Sequence, residues 1–466
     1  TALVAHEPEA DAAAQRLTRL TQAQLSWRSS AAYRARPRFL EQMIGMLTLT
    51  VLTTGLPTEW FVIIDGNLFD SVNVGGPLVI VVFTVLIGSL LVFSMKRPKA
   101  MFYLLVCELM LVGFSLLILF SPLWSVNFST SARRAVALTL VTLLGIYFVA
   151  RYSLEQLLNR LSIVFFFAML HNVFWVNALP QYGLSNGDFV GITTNRNSLG
   201  QQAVLGCLIM VFAFRSRNHR IVAVLGFAGS LYLVIGTSSK TSLASLVLLG
   251  GLLLVFSTFR SRKQLFGAVI ISEITAGLFG LLIATANLVF ITDLLDRDIT
   301  LTGRTILWEN LLEPISEKPI LGHGWEAFWG GWGSPAHEIW LKNTWFPPTA
   351  HNAPLEYLLA LGFVGLLVWS VMMGRGLWRS IHYLRDRPGL AGLFPIAMLS
   401  YAFLYSVTEA GVVRRGVDWM LVVVALVETK RFMDKNRSSL DGSKLAVSRH
   451  DATSKAITSG PPAPSL

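Results

Sequence analysis

Charge is scarce in this chain of 466 residues: Asp, Glu, Lys and Arg together supply 14%, against about 25% in a soluble domain. Cysteine is scarcer still. The two present, Cys107 and Cys207, both fall inside apolar runs, so they read as plain core residues and imply no disulfide framework or metal–thiolate site. No internal repeat is visible, and no spacing of His323, His337 and Glu338 matches a zinc motif, so no metal and no cofactor are expected. The segment before the first apolar run lacks the apolar core of a signal peptide.

Apolar surface, by contrast, is abundant. The chain is 53% hydrophobic with a mean hydropathy of +0.57, and runs of about 20 apolar residues, each long enough to cross a bilayer as a helix, recur throughout. The expected fold is an all-α integral membrane protein of about 12 transmembrane helices with one long external loop that contains short amphipathic helices. The expected spans are 39–56, 76–95, 101–120, 135–151, 161–179, 199–214, 220–237, 241–259, 264–291, 353–373, 391–409 and 415–428. Residues 1–38 form a basic cytoplasmic segment, 39–429 the polytopic membrane domain, and 430–466 a polar, basic tail expected to be disordered and cytoplasmic.

The formal net charge is +11. In a soluble protein this would point to nucleic acid. Here the cations sit mainly in short connectors and the two tails, so the positive-inside bias accounts for them and no nucleic-acid partner is expected. Lys96, Arg97 and Lys99, Arg151 and Arg160, Arg215, Arg217 and Arg220, Arg260, Arg262 and Lys263, Arg375, Arg379, Arg385 and Arg387, and Lys430 and Arg431 share one side if both ends are cytoplasmic. Arg133-Arg134 and Arg414-Arg415 are the exceptions. The loop 292–352 then faces away from the cytoplasm, which excludes ATP or a nucleotide sugar as its direct substrate.

That loop concentrates the polar chemistry. Arg304 and Trp308, with Leu307, Leu311 and Leu312, give helical spacing from near Thr302 to Pro314, expected as an amphipathic helix at the membrane interface. Arg304 projects from its first turn. Trp308 is either an interfacial anchor or a glycan contact. His351-Asn352-Ala-Pro354 reads as the start of a helix, with Asn352 as its cap and Pro354 in the first turn. His351 and Asn352 therefore lie at a positive helix end, which attracts phosphate. Arg196, before the sixth span, and Lys240, in a very short outside turn, come to the same face as Arg304 and His351. Cations held close to hydrocarbon are usually retained for a partner or substrate. Their convergence fits a membrane-bound anion such as a lipid diphosphate, with cations stabilising the leaving group and a neutral His351 deprotonating a sugar hydroxyl. Lys240 also reads as a snorkelling interfacial lysine. Trp325, Trp329 and their aromatic neighbours suit membrane anchoring or stacking on sugars. Glu108, Glu273 and Glu356 form buried pairs or a proton path; the sequence does not choose.

Taken in order, Gly303-Arg304…Trp308, Pro319-Ile-Leu-Gly322-His323-Gly324 and His351-Asn352…Gly362-Phe-Val-Gly365 resemble the O-antigen ligase and Wzy-type polymerase superfamily. The run Gly322–Trp329 and Ser238-Ser-Lys240-Thr-Ser are most similar to the succinoglycan-type exopolysaccharide polymerase branch, and the likeness covers about residues 120–369. The resemblance implies a metal-independent, inverting membrane glycosyltransferase of the bacterial inner membrane, whose long loop is periplasmic. Its donor is an undecaprenyl-diphosphate-linked oligosaccharide. A polymerase joins such repeat units into exopolysaccharide or O-antigen; a ligase, the alternative, transfers them to lipid A core, and a lipid-linked sugar transporter is more remote. By motif position the resemblance makes His351 the base and Arg196 and Arg304 the diphosphate ligands, with Lys240 standing where many members carry Ser-Arg. A lysine there lacks the guanidinium fork but keeps a point charge. Membrane lipids, a chain-length regulator and a flippase of the same pathway are the implied partners.

Overall fold

The computed structural model describes residues 39–54, 77–96, 98–193, 195–214, 219–259, 304–330, 333–343, 346–387, 389–410, 412–413 and 416–436. The tails 1–38 and 437–466, residues 55–76 and residues 260–303, which include the expected span 264–291, lie outside them. Among the described residues the chain is almost wholly helical: α1 (Phe39–Thr54), α2 (Pro77–Ser94), α3 (Pro98–Cys107), α4 (Leu109–Phe120), α5 (Phe128–Arg151), α6 (Leu154–Ala178), α7 (Arg196–Ala213), α8 (Arg220–Gly236), α9 (Lys240–Phe259), α10 (Arg304–Glu317), α11 (Ala336–Lys342), α12 (Ala353–Asp386), α13 (Phe394–Thr408) and α14 (417–436). Each expected span within these residues overlaps one α-helix, except 101–120, which overlaps two.

Among the described residues, five helical stretches are long and apolar enough to cross a membrane: Phe128–Arg151, Leu154–Ala178, Lys240–Ser257, Ala353–Asp386 and Leu390–Val407. A bent pair, Pro98–Cys107 with Leu109–Trp124, makes a sixth. Apolar helices such as Phe39–Thr54 and Arg220–Gly236 are shorter than the roughly 20 residues that cross about 30 Å of hydrocarbon.

Local signals set the helix ends. The Asn127 side chain accepts the Thr130 N–H at the start of α5, Ser153 and Gln156 form a reciprocal capping box at α6, and Asn195 caps α7 through Ser198 N–H. One core runs through the bundle and includes Phe114, Tyr147, Phe165, Tyr357, Tyr401 and Trp419. Some of the polar groups buried in it form ion pairs. The Arg151 guanidinium grips Glu41 through Nε (2.6 Å) and Nη2 (2.7 Å), and the Tyr147 hydroxyl donates to the same carboxylate at 2.8 Å. Removing one partner of such a buried pair costs about 3–5 kcal/mol.

Two expected spans are broken. The span 101–120 turns through 91° at Glu108, whose carboxylate is buried against Arg379 of α12; Glu108 is thus one of the buried pairs left open by the sequence. The tenth span reaches Asp386 rather than residue 373 and is interrupted at Gly362 (φ 64°, ψ −163°). The backbone of the Pro-Ile-Leu-Gly-His-Gly segment docks into that interruption. Phe363 and Val364 N–H donate to the carbonyls of Pro319 (2.8 Å) and Ile320 (3.3 Å), while His323 and Gly324 N–H donate to those of Leu359 (2.7 Å) and Ala360 (3.0 Å). Non-helical backbone next to a membrane helix needs such internal partners. A β-carbon at Gly362 would collide with the Ile320 backbone, and one at Gly322 (φ 65°) would lie 2.6 Å from the Leu359 carbonyl oxygen.

The loop folds as a small second core of Leu307, Leu311, Ile315, Phe328, Ala336, Ile339, Ala350 and Leu359. The stripe of α10 therefore faces protein rather than lipid. It comprises Leu307, Leu311, Pro314 and Ile315, whereas Leu312 is exposed. Pro314 does not end the helix. It sits in the last turn, where the helix continues without the hydrogen bond that an N–H would give to the Asn310 carbonyl, and its own carbonyl accepts from His323 Nε2 at 2.9 Å. His323 is thereby accounted for as a buried structural residue. Arg134, an exception to the charge rule, is also explained: it donates to the Glu326 carbonyl at 2.5 Å and pairs with its carboxylate at 3.4 Å, holding the loop against α5.

Candidate functional site

Four chain segments, its own included, meet at one carboxylate that the sequence did not single out. Glu409 follows the last residue of α13, with its N–H on the Tyr405 carbonyl at 2.9 Å. Its Oε2 lies 2.9 Å from His351 Nδ1, and its Oε1 accepts from Arg304 Nη2 and from Asn197 Nδ2, each at 3.2 Å. Asn197 in turn accepts the Ser239 hydroxyl at 3.0 Å, and Ser242 donates to Ser239 at 3.1 Å. Arg304 and His351 are each 17% exposed at the side chain and Glu409 15%, so the cluster is sheltered, with only a small part of it at the surface.

Helix ends account for the convergence. Asn197 lies in the first turn of α7, Ser239 immediately precedes α9, Arg304 is the first described residue of α10, and His351 precedes the cap of α12. These helix N-termini contribute partial positive charge to the same place. As expected, Asn352 caps α12: its Oδ1 accepts Leu355 N–H at 3.1 Å, with Pro354 in the first turn. Its amide also donates to the Val407 carbonyl at 3.4 Å, so its contacts bind helix to helix.

The electrostatics follow from these contacts. Burial favours the protonated form of Glu409, but the hydrogen bond and charge of His351 and then Arg304 outweigh it, and the carboxyl is held below its ordinary value of 4.5. An ionised carboxylate accepts only, so in this contact Nδ1 of His351 donates. His351 occupies the left-handed region at φ 49°, a conformation costing about 1–3 kcal/mol that surrounding contacts must impose.

Arg196 and Lys240 join through their neighbours. Arg196 is adjacent to Asn197 and forms an ion pair with Asp188. Asp188 stands on a two-stranded hairpin, Leu184–Ser185 with Asp188–Phe189, closed by Asn186-Gly187, both at positive φ. The Ser238 hydroxyl and, despite slight burial, Arg196 hold the Asp188 carboxyl below its ordinary value. Lys240 is exposed at the first position of α9, next to Ser239. The four segments carrying the expected cations and base are therefore linked by hydrogen bonds, even where the charged side chains do not touch.

The aromatic residues divide differently. Trp308 Nε1 donates to the Ala350 carbonyl at 2.8 Å and Trp329 Nε1 to Glu356 at 3.2 Å. Trp325 is 3% exposed, and its backbone N–H is held by Ser121 at 3.1 Å, so its ring offers no face to a sugar.

Residues 225–370 match the family model described as O-antigen ligase. Over 204 residues the chain is 30% identical to the exopolysaccharide production protein ExoQ of Rhizobium meliloti, covering 40% of this chain and 45% of that protein. Over 161 residues it is 34% identical to an O-antigen ligase of Pseudomonas aeruginosa, covering 31% of this chain and 37% of that one. The chain thus spans less than half the length of either relative. The resemblance read from the motifs holds over this segment, which contains Lys240, Arg304 and His351; Arg196, Asn197 and Glu409 lie outside it.

Proposed function

We propose that the chain is a membrane glycosyltransferase that joins undecaprenyl-diphosphate-linked oligosaccharide repeat units into exopolysaccharide or O-antigen on the periplasmic face of the bacterial inner membrane. The observation that carries this reading is the Glu409 carboxylate bridging His351 and Arg304 (2.9 and 3.2 Å) beneath converging helix N-termini. The acceptor hydroxyl attacks the anomeric carbon of the donor with inversion, and its proton passes to His351 Nε2. The bond from that carbon to the diphosphate oxygen breaks, and the lipid diphosphate leaves with the electron pair. Glu409 fixes the imidazole tautomer and stabilises the imidazolium that forms. Arg304, Arg196 and Lys240 supply positive charge to the leaving group, so the protein itself provides the electrostatic stabilisation. A diphosphate held by Arg196 displaces Asp188.

Incubation of the purified protein with purified lipid-diphosphate repeat unit tests this. A ladder of products on a gel is expected from the wild type and none from His351→Ala or Arg304→Ala, both still inserted in the membrane. Wild-type ladders from both variants overturn the reading. A second reading, transfer to lipid A core, is favoured by the match to the Pseudomonas aeruginosa ligase. Deleting the gene separates the two: a polymerase mutant makes repeat units without polymer, and a ligase mutant makes polymer beside bare lipid A core.

A further inference from the structure

The backbone next to His351 is held from both sides by side chains outside the cluster around Glu409. Ala350 is fully buried. Its N–H donates to Glu356 Oε1 at 2.6 Å, and its carbonyl accepts Trp308 Nε1 at 2.8 Å. The second oxygen of Glu356 accepts Trp329 Nε1 at 3.2 Å. Glu356 stands in the first turn of α12, where the helix end favours its charge. Trp329 arrives from the segment whose start is docked in the break at Gly362.

We propose that Glu356 is a positioning residue for His351: with Trp308 it fixes the peptide units of Ala350, which forces the left-handed turn at His351, and Trp329 orients its carboxylate. The proposal deepens the reading of His351 as the base and rests on it. Released from the clamp, His351 relaxes toward ordinary backbone angles and its ring leaves Glu409. A displacement of about 1 Å in a reacting group costs on the order of a hundredfold in rate. The aromatic part of the loop thereby conditions the placement of the base without touching substrate. Trp329 acts here through Glu356 and not as a sugar platform.

The test uses purified full-length protein with repeat units on undecaprenyl diphosphate, measuring kcat and donor KM for Glu356→Ala, Glu356→Gln, Trp329→Phe, the double variant Glu356→Gln/Trp329→Phe, and His351→Ala. Elution as a single species in detergent reports folding. Expected are a kcat at least tenfold down in Glu356→Ala with KM within about twofold, and smaller losses in Glu356→Gln, whose remaining oxygen still accepts from Ala350, and in Trp329→Phe. The double variant should be no worse than its worse parent, because both changes break one contact. Wild-type kcat in Glu356→Ala, additive losses in the double variant, or a change in KM alone overturns the proposal; the last would mark Trp329 as a sugar contact. Should Glu356→Ala fail to fold, the other three variants decide by the same criteria. An active His351→Ala instead removes the underlying assignment of the base, a result distinct from all of these.

Discussion

Glu409 and His351 are separated by 58 positions in the chain, yet carboxylate and imidazole stand 2.9 Å apart. The carboxylate also holds Arg304, so base and cation share one anchor. This sharing couples the three groups, with the single negative charge of Glu409 facing both Arg304 and His351. Changing any member alters the other two.

Glu409→Gln keeps the size of the side chain and removes its charge. The imidazole then loses the partner that stabilises its protonated form, and kcat is expected to fall about a hundredfold, within the range of general-base contributions. Initial rates of chain growth on the purified protein measure it. A rate within threefold of wild type removes Glu409 from the mechanism.

Acid should loosen the site in a defined direction. The Glu409 carboxyl is held below its ordinary value of 4.5, so its contribution to stability is complete above that value and is lost as pH falls through the lowered one. Thermal unfolding in detergent across this acidic range should show the wild-type Tm declining more steeply than that of Glu409→Gln. Parallel declines would contradict the assignment.

Gly362→Ala places a methyl group against the Ile320 backbone at a residue with φ 64°. The expected cost is about 1–3 kcal/mol from the backbone conformation alone, with a further contribution from the collision. A lowered Tm and faster proteolysis between residues 318 and 335 are the readouts; an unchanged Tm would show that the break closes without cost.

Chelators offer a simple check on the source of positive charge. If Arg304, Arg196 and Lys240 stabilise the leaving diphosphate, EDTA leaves the rate of chain growth unchanged. Loss of activity restored by a divalent cation would assign that role to a metal.

The helices were legible because their signals are local. Apolar runs gave the spans, Asn352 and Pro354 marked the start of α12, and the order of cations placed Arg196, Lys240, Arg304 and His351 in segments that do meet. Glu409 was not legible. It reads as the polar end of an apolar run, and its partners lie 58 and 105 positions away. The break at Gly362 was hidden for the same reason, since Leu-Gly-Phe-Val-Gly continues an apolar pattern and only distant carbonyls stabilise the interruption. His323 matches no metal motif in the sequence, and its carbonyl partner belongs to a helix that the sequence ended one turn too early. Leu312 misled in a smaller way, because three leucines fit the helical period and only packing decides which two face inward.

The joint at Gly362 is made from main-chain atoms on both sides. Amides and carbonyls are common to every residue type, so apart from the two glycines the fastening places little demand on the identity of Ile320 or Leu321. Those positions can change while the imidazole stays where it is.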